Sequence, residues 1–173
     1  MLANFRYAAN QELTVTDQAS GQTAQKHAVS PGLAVGQKFV SGTFALDAEQ
    51  IKTFAEMYDP QPFHLDETAA QTKFFAGLAA SGWQTAAITM RLVVGSGIPV
   101  SEGIIGAGAE LSWPQATRPG DVLQVFSEVV AVKPSRNRQG WGIATVRSET
   151  VNQRGEVLQI LLAKLVAELA ANE

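Results

Sequence analysis

The chain of 173 residues has no cysteine, which excludes disulfide bonds and zinc sites built from thiolates. Basic residues are few: 13 Lys and Arg stand against 16 Asp and Glu, so the net charge of -3 gives no general attraction to nucleic acid or anionic membranes. The longest apolar stretch, residues 160–167, is interrupted by Lys164, whereas a bilayer span needs about 20 apolar residues. We therefore expect no nucleic-acid partner and no membrane partner.

What the sequence does have is enough apolar material for one compact domain. Hydrophobic residues make up 46% of the chain, and domains cluster near about 100–150 residues. Residues 1–35 are polar and weakly periodic, so we expect an N-terminal extension followed by one domain over residues 36–173. His27, in the extension, has no nearby carboxylate and is interpreted as solvated. The first residues lack a basic region followed by an apolar run, so we expect no secretory signal and a cytoplasmic protein.

Ionisable groups are concentrated in the segment 58–66, which reads YDPQPFHLD. Asp59 and His64 flank two prolines, whose rings fix φ and stiffen the backbone between them. His64 is the side chain best suited to carry a proton near neutral pH. Such a segment can direct both side chains to one point, where they could hold and activate a water molecule. Asp66 is interpreted as the N-cap of a short helix over residues 67–75.

Periodicity predicts a strand and a helix before this segment. Alternation over residues 37–46 predicts the strand, and Asp47 with Gln50 has the spacing of a helix capping box. The helix should end before Pro60, because the residue preceding a proline avoids helical backbone. Asp59 would then follow a helix C-terminus, where the helix dipole disfavours a carboxylate.

The strongest helix of the sequence begins at Ser81 and ends near Gly95. Ser81 and Gln84 have capping-box spacing, and polar residues are few, so we expect this helix to be mostly buried. Its broad apolar surface should consist of Trp83, Ala86, Ala87, Met90, Val93 and Val94. The first N–H groups of a helix have no intrahelical partner, and Gly82 has no side chain to block a ligand. This helix start is suited to bind a carbonyl oxygen on which negative charge develops.

The rest of the chain predicts antiparallel strands over residues 104–113, 122–132, 141–151 and 156–168. The last segment would also make an acceptable helix, and propensity alone does not decide between them. The order of elements favours an α+β fold in which a curved sheet wraps one long apolar helix. Because one helix covers only part of a sheet, we expect a free edge or face to pair with another subunit.

The chemistry of these groups indicates a reaction beside a carbonyl. Activated water next to an oxyanion-binding helix start suits addition of water to a double bond conjugated with a thioester, and it also suits hydrolysis of the thioester. A turn and capping role for Asp59 and His64 explains the same spacing without catalysis. A metal site is disfavoured, because one histidine and a few carboxylates would give at most a loose oxygen site.

The residues 59–66, DPQPFHLD, resemble the hydratase motif of MaoC-like dehydratases, the (R)-specific enoyl-CoA hydratase family. That motif is approximately D-x-N-P-x-H-x-D, and four positions match it: Asp59, Pro62, His64 and Asp66. Gln61 stands where the family usually has Asn, which is shorter by one methylene. We expect this exchange to be tolerated, because the position mainly supports the loop.

Two further stretches are similar to the same family. FAGLAASGW at residues 75–83 resembles the approach to its central helix, and RPGD at residues 118–121 resembles the turn before a long strand. The resemblance covers about residues 36–168. It implies a hot-dog fold, in which a long helix is wrapped by an antiparallel sheet and subunits usually dimerise edge to edge. It also favours a strand for residues 156–168.

The resemblance implies reversible syn addition of water to a trans-2-enoyl-CoA, giving an (R)-3-hydroxyacyl-CoA without a cofactor or metal. The partners implied are an acyl-CoA thioester and further copies of the chain, as a homodimer or a higher homo-oligomer. By position, Asp59 and His64 hold the water and exchange protons with C2 and C3, and the Gly82 N–H polarises the thioester carbonyl. Ser81, Gln61 and Trp83 are expected to line the substrate site.

Some alternatives stay open at this point. A hot-dog acyl-CoA thioesterase would use the same fold, and fold does not decide function. A non-catalytic module that binds acyl thioesters would also keep the motif. The basic loop at residues 133–138 either contacts the phosphates of CoA or is a solvated hairpin.

Overall fold

The computed structural model describes residues 32–71, 74–100 and 103–170. Most of the predicted N-terminal extension, residues 1–31 with His27, lies outside the described residues. The elements follow in the order β1 (Lys38–Ala45), α1 (Ala48–Tyr58), α2 (Pro62–Leu65), a 3-10 turn (Ala69–Gln71), α3 (Gly82–Val94), β2 (Ile105–Ser112), β3 (Val122–Pro134), β4 (Trp141–Val151) and β5 (Val157–Glu168).

The five strands form one antiparallel sheet in the order β1-β3-β4-β5-β2. The helix α3 packs on this sheet and contacts β1, β3 and β5. Along β4, buried residues alternate with half-buried ones, as expected for a strand with one face on the core. The α+β hot-dog prediction is therefore confirmed. The last segment is a strand, because β5 pairs with β4 on one side and with β2 on the other.

The chain joins the sheet domain before β1. Leu33 is buried in the core; its N–H donates to the carbonyl of Glu168, the last residue of β5, and its carbonyl accepts from the Ala170 N–H. Gly32 has φ of 70°, and a side chain there would collide with the backbone of Leu169. The described chain is thus part of the folded core from its first residues.

The first helix agrees with its prediction. Asp47 accepts a hydrogen bond from the Gln50 N–H at 2.8 Å, and the Gln50 side chain accepts one from the Asp47 N–H at 2.9 Å, so the capping box is present. The helix ends at Tyr58, two residues before Pro60. Asp59 is therefore placed just past the C-terminus of α1.

The prediction of a helix over residues 67–75 is wrong. The described chain instead has α2 before Asp66 and a 3-10 turn at Ala69–Gln71 after it, while residues 72–73 lie outside the description. Asp66 still has a capping role, since its carboxylate accepts the N–H groups of Thr68 and Ala69 at 2.6 and 2.9 Å. Pro62 at the first position of α2 starts the helix earlier than periodicity indicated.

The capping box predicted at Ser81 is also wrong in part. Ser81 does cap α3, but its hydroxyl accepts from the Trp83 N–H at 3.2 Å. The Gln84 side chain turns away and donates to the Gln50 carbonyl at 2.9 Å, which ties α3 to α1. None of the described helices, α3 included, is long and apolar enough to cross a membrane.

The buried face of α3 differs from the expected apolar surface. Trp83, Met90 and Val94 are 61%, 43% and 64% exposed, whereas Thr85 and Thr89 are buried. The prediction is wrong here because it built the packing surface of the helix from apolar residues alone. In this fold its hydroxyl finds partners inside the protein.

A chain of buried hydrogen bonds accounts for these threonines. The Thr85 hydroxyl lies 2.9 Å from that of Thr117, and the Thr89 hydroxyl lies 2.6 Å from that of Thr150. Gln159, fully buried on β5, donates to the Thr89 oxygen at 3.0 Å. Polar groups beneath α3 are thus satisfied by β4, β5 and the β2–β3 connection, all far away in sequence.

Replacing Gln159 by Leu is expected to destabilise the domain by about 1–3 kcal/mol, since it removes two hydrogen bonds made by a buried side chain. The Trp113 indole N–H, which donates to Gln159 at 2.8 Å, loses its acceptor. The Thr89 hydroxyl loses one of its three partners and keeps Thr150 and the Thr85 carbonyl. Urea unfolding measures the change. Gln139→Leu, in the exposed β3–β4 loop, is the matched control and should leave the midpoint unchanged. Equal midpoints for the two variants would contradict the assigned network.

Candidate active site

A cleft of about 630 Å³ opens beside the N-terminus of α3. One wall is the segment that carries α2, and the other is the connection between β2 and β3. All six residues predicted for the site line it: Asp59, Gln61, His64, Ser81, Gly82 and Trp83. A second groove of about 460 Å³ lies between α1 and α3. Neither Asp59 nor His64 lines it, so the first cleft is the candidate active site.

The Asp59 carboxylate is held by donors from two directions. Ser81 Oγ donates to Oδ2 at 2.6 Å, and Gln61 Nε2 donates to Oδ1 at 2.7 Å. Gln61 also fixes its own loop, because its carbonyl accepts the His64 N–H at 2.9 Å. The longer side chain that replaces the usual Asn therefore reaches the carboxylate directly.

Burial is the largest single influence on the pKa of Asp59, and alone it would raise that pKa. The hydrogen bonds from Ser81 and Gln61, with the electrostatic influence of His64, act in the opposite direction and together hold the pKa below its usual value. Asp59 is therefore an ionised carboxylate at neutral pH. This offsets the unfavourable position past the end of α1.

His64 is buried, with 4% of its surface exposed, and its two ring nitrogens have different partners. Nδ1 lies 2.7 Å from the carbonyl oxygen of Ala79. Nε2 lies 3.3 Å from Asp59 Oδ2. The rings of Phe63 and Phe75 pack around the imidazole, with the Phe63 centroid 4.5 Å away.

The Ala79 carbonyl decides which nitrogen carries the proton. A carbonyl oxygen can only accept, so Nδ1 of His64 must donate. In the neutral ring Nε2 is then an acceptor and faces a second acceptor, Asp59 Oδ2. A molecule with two O–H donors, such as water, satisfies both atoms at once.

The start of α3 completes the arrangement. The Gly82 N–H has no acceptor among the described residues, and it is the first N–H of the helix. The Trp113 ring packs so closely that a side chain at Gly82 would lie 2.7 Å from it. Only glycine leaves room for both the ring and a ligand at this N–H.

Trp83 and Trp113 form an aromatic wall at the cleft. Their ring centroids are 5.7 Å apart and the planes meet at 75°, an edge-to-face contact. Trp83 is largely exposed, so it borders the cleft instead of joining the core as its periodicity indicated. Ser81 donates its hydroxyl proton to Asp59, and any contact it makes with substrate stays a prediction.

No sequence pattern assigned Ala79 or Arg118 to the site. Ala79 acts through its backbone carbonyl, which every residue has, so no sequence signal marks it. Trp113 and Arg118 line the cleft from the connection after β2. The RPGD turn did single out Arg118, but as a turn residue only. Among the described residues no group of three or more His, Asp or Glu side chains could hold a metal ion.

Comparison with known proteins extends these observations. A model of the MaoC like domain matches residues 17–152, a range that includes Asp59, His64 and Gly82. The chain is 34% identical over 121 residues to the uncharacterized protein YdeM of Bacillus subtilis, covering 69% of this chain and 84% of that one.

Two solved structures have the same fold. The MaoC-like dehydratase from Rhodospirillum rubrum is 56% identical, with a TM-score of 0.77 over 81% of this chain and 96% of that one. The R-hydratase PhaJ1 from Pseudomonas aeruginosa, in its unliganded form, is 27% identical, with a TM-score of 0.61 over 79% of this chain and 83% of that one.

Removing either donor to Asp59 should raise the pKa of its carboxyl group. We expect an upward shift in Ser81→Ala and in Gln61→Leu, because each loses a hydrogen bond that favours the ionised form. Carboxyl-carbon NMR titration measures the shift. Gln71→Leu, an exposed change nearby, should have no effect, and an unchanged Asp59 titration in Ser81→Ala would contradict the assignment.

The lowered pKa of Asp59 in the folded protein also affects stability. The folded pKa of Asp59 lies below the unfolded value of about 3.9, so the group stabilises the fold above that pH. This stabilisation is lost as the pH falls through the folded pKa. Ser81→Ala and Gln61→Leu should therefore lose less stability than the unaltered protein between neutral and acidic pH.

Proposed function

Because the chain belongs to the MaoC-like dehydratase family, we propose that it catalyses the reversible syn hydration of trans-2-enoyl-CoA thioesters to (R)-3-hydroxyacyl-CoA. One observation carries this proposal: His64 Nε2 and Asp59 Oδ2 lie 3.3 Å apart beside the open N–H of Gly82. A water-binding pair and an oxyanion donor are the two elements this reaction needs.

The water molecule binds in the cleft to one side of the two acceptors, within hydrogen-bond reach of both. It donates one hydrogen to Asp59 Oδ2 and the other to His64 Nε2, which leaves an oxygen lone pair directed at C3 of the substrate. As the bond between the water oxygen and C3 forms, one proton of the water passes to the Asp59–His64 pair. The second proton stays on the new hydroxyl group. The ionised state of Asp59 supports this role, since only the carboxylate form can take up a proton from water.

The thioester carbonyl binds at the start of α3. Electrons from the double bond move onto its oxygen during the addition, and the Gly82 N–H donates to that oxygen. The resulting enolate then takes a proton at C2 from the Asp59–His64 pair. Both the hydroxyl group and the proton come from one side of the substrate, which gives syn addition.

Replacing either member of the pair should abolish most hydration of crotonyl-CoA. We expect kcat to fall by about 10²–10⁴-fold in Asp59→Asn and in His64→Gln, because each removes a group that accepts a proton from water. Loss of the enoyl absorbance measures the reaction.

Asp66→Asn is the matched control. It changes a carboxylate in the same segment whose partners are the backbone N–H groups of Thr68 and Ala69, so activity should persist. Full activity in Asp59→Asn and His64→Gln would refute the assignment. Release of free thiol from acyl-CoA would instead indicate a thioesterase, and binding without turnover would indicate a non-catalytic acyl-thioester module.

We propose that the chain forms a homodimer through its free sheet edge and exposed apolar residues. Strand β2 is an edge strand whose residues are almost all exposed, Ile105 among them at the start. On α3, Met90 and Val94 are exposed on the helix face that also carries Trp83, whose ring meets Trp113 just after β2. A second copy pairing along β2 would cover the free edge and this apolar stripe.

Charges on the stripe should therefore dissociate the dimer. We expect Met90→Glu and Val94→Glu to sediment as monomers in analytical ultracentrifugation at concentrations where the unaltered protein is dimeric. Met57→Glu, an equally exposed position on α1, is the control and should not change sedimentation. Dimers in all three variants would place the interface elsewhere.

A further inference from the structure

Arg118 directs both terminal nitrogens of its guanidinium group at backbone carbonyls. Nη1 donates to the oxygens of Gly77 and Leu78 at 2.7 and 3.1 Å, and Nη2 donates to that of Phe75. The described residues offer it no carboxylate within ion-pair distance. Lysine has one nitrogen and could not bridge the same span, whereas the planar fork of arginine reaches all three carbonyls.

The loop held in this way has an unfavourable backbone. Ala76 has φ of 52°, the one positive φ of a non-glycine residue in the described chain, and Gly77 has φ of 136°. Such conformations persist when surrounding contacts over-determine them. The bonds from Arg118 on either side of Ala76 supply those contacts.

The next residues of this loop touch the candidate site. The Ala79 carbonyl accepts from His64 Nδ1, and the Ala80 N–H donates to the Thr117 carbonyl at 2.9 Å. The loop is therefore fixed by consecutive residues of the β2–β3 connection on one side. On the other side it presents the acceptor that sets the His64 tautomer.

Arg118 is itself firmly placed. Its N–H donates to Asp121 Oδ2 at 2.8 Å, and Asp121 is a buried carboxylate that pairs with Arg154 at 2.9 Å. The RPGD turn thus anchors the arginine to the β4–β5 hairpin. Rigid support of this kind is what a group that orients a catalytic side chain requires.

We propose that Arg118 is a positioning residue for His64: it fixes the loop that presents the Ala79 carbonyl, and so keeps Nδ1 protonated and Nε2 free to face Asp59. This inference rests on the proposed hydration for its kinetic consequence but not for its structural one. Without the fixed carbonyl, the neutral ring can place its proton on Nε2, where Asp59 is the nearby acceptor. That tautomer cannot accept a proton from water at Nε2.

The tautomer is measured directly by long-range 1H–15N NMR of the full-length chain with labelled histidine. His27→Gln serves as the background, so that His64 gives the only signals. We expect the Nδ1–H form in this background and a shift towards Nε2–H in Arg118→Met, with Arg118→Lys between them. Arg138→Met is the control, because Arg138 stacks on Trp141 in the β3–β4 loop, and it should leave the spectrum unchanged.

Kinetics separate positioning from substrate binding. With crotonyl-CoA we expect kcat to fall about 100-fold in Arg118→Met while KM changes little, as for a misplaced catalytic group. Added guanidinium should restore part of kcat in Arg118→Ala. A raised KM with unchanged kcat would make Arg118 a substrate contact and overturn the proposal.

The spectra decide the case independently of activity. An unchanged Nδ1–H spectrum in folded Arg118→Met or Arg118→Lys, with folding checked by circular dichroism, would also overturn the proposal. If the chain shows no hydration, the tautomer shift still tests Arg118. A shift seen without any hydration would count against the proposed function alone.

Discussion

The candidate site depends on one hydrogen bond, between His64 Nδ1 and the carbonyl oxygen of Ala79. It joins α2 to the loop that leads into α3, and so brings the acid–base segment and the oxyanion-binding helix start into one cleft. It also determines the tautomer, because a carbonyl only accepts. That choice leaves Nε2 as an acceptor 3.3 Å from the carboxylate oxygen of Asp59. A side-chain acceptor in place of Ala79 could rotate away, whereas a backbone carbonyl in a pinned loop cannot.

Asp59 shows how an unfavourable position is made usable. The helix dipole and partial burial both oppose a carboxylate at the end of α1. Donors from Gln61 in its own loop and from Ser81 at the start of α3 outweigh these costs and lower its pKa. The same two hydrogen bonds also orient the carboxylate, so they both stabilise its ionised form and fix its position. Ser81 has two roles: its hydroxyl donates to Asp59, and the same oxygen accepts the Trp83 N–H and so caps the start of α3.

Local signals predicted local structure well. The capping box of Asp47 and Gln50 formed as its spacing indicates, and the alternation in β4 matched the observed strand from Trp141 to Val151. Signals that required knowledge of distant partners failed. Ser81 and Gln84 had capping-box spacing too, but the Gln50 carbonyl competes for the Gln84 side chain. Thr85 and Thr89 were not part of the surface predicted for α3, yet strands β4 and β5 and the β2–β3 connection supply partners that make their burial favourable.

By itself, the sequence determined which groups could take part in the chemistry: a carboxylate, an imidazole and a helix start with glycine, in an order that matched a known motif. It also determined the stiffness of the segment, because proline and glycine act on the backbone where they stand. Only the tertiary structure decided what orients those groups. Ala79 lies 15 residues from His64, Ser81 lies 22 from Asp59, and Gly77 lies 41 from Arg118. Such partners are chosen by how the sheet and loops pack, and no local pattern records which carbonyl a distant side chain will reach.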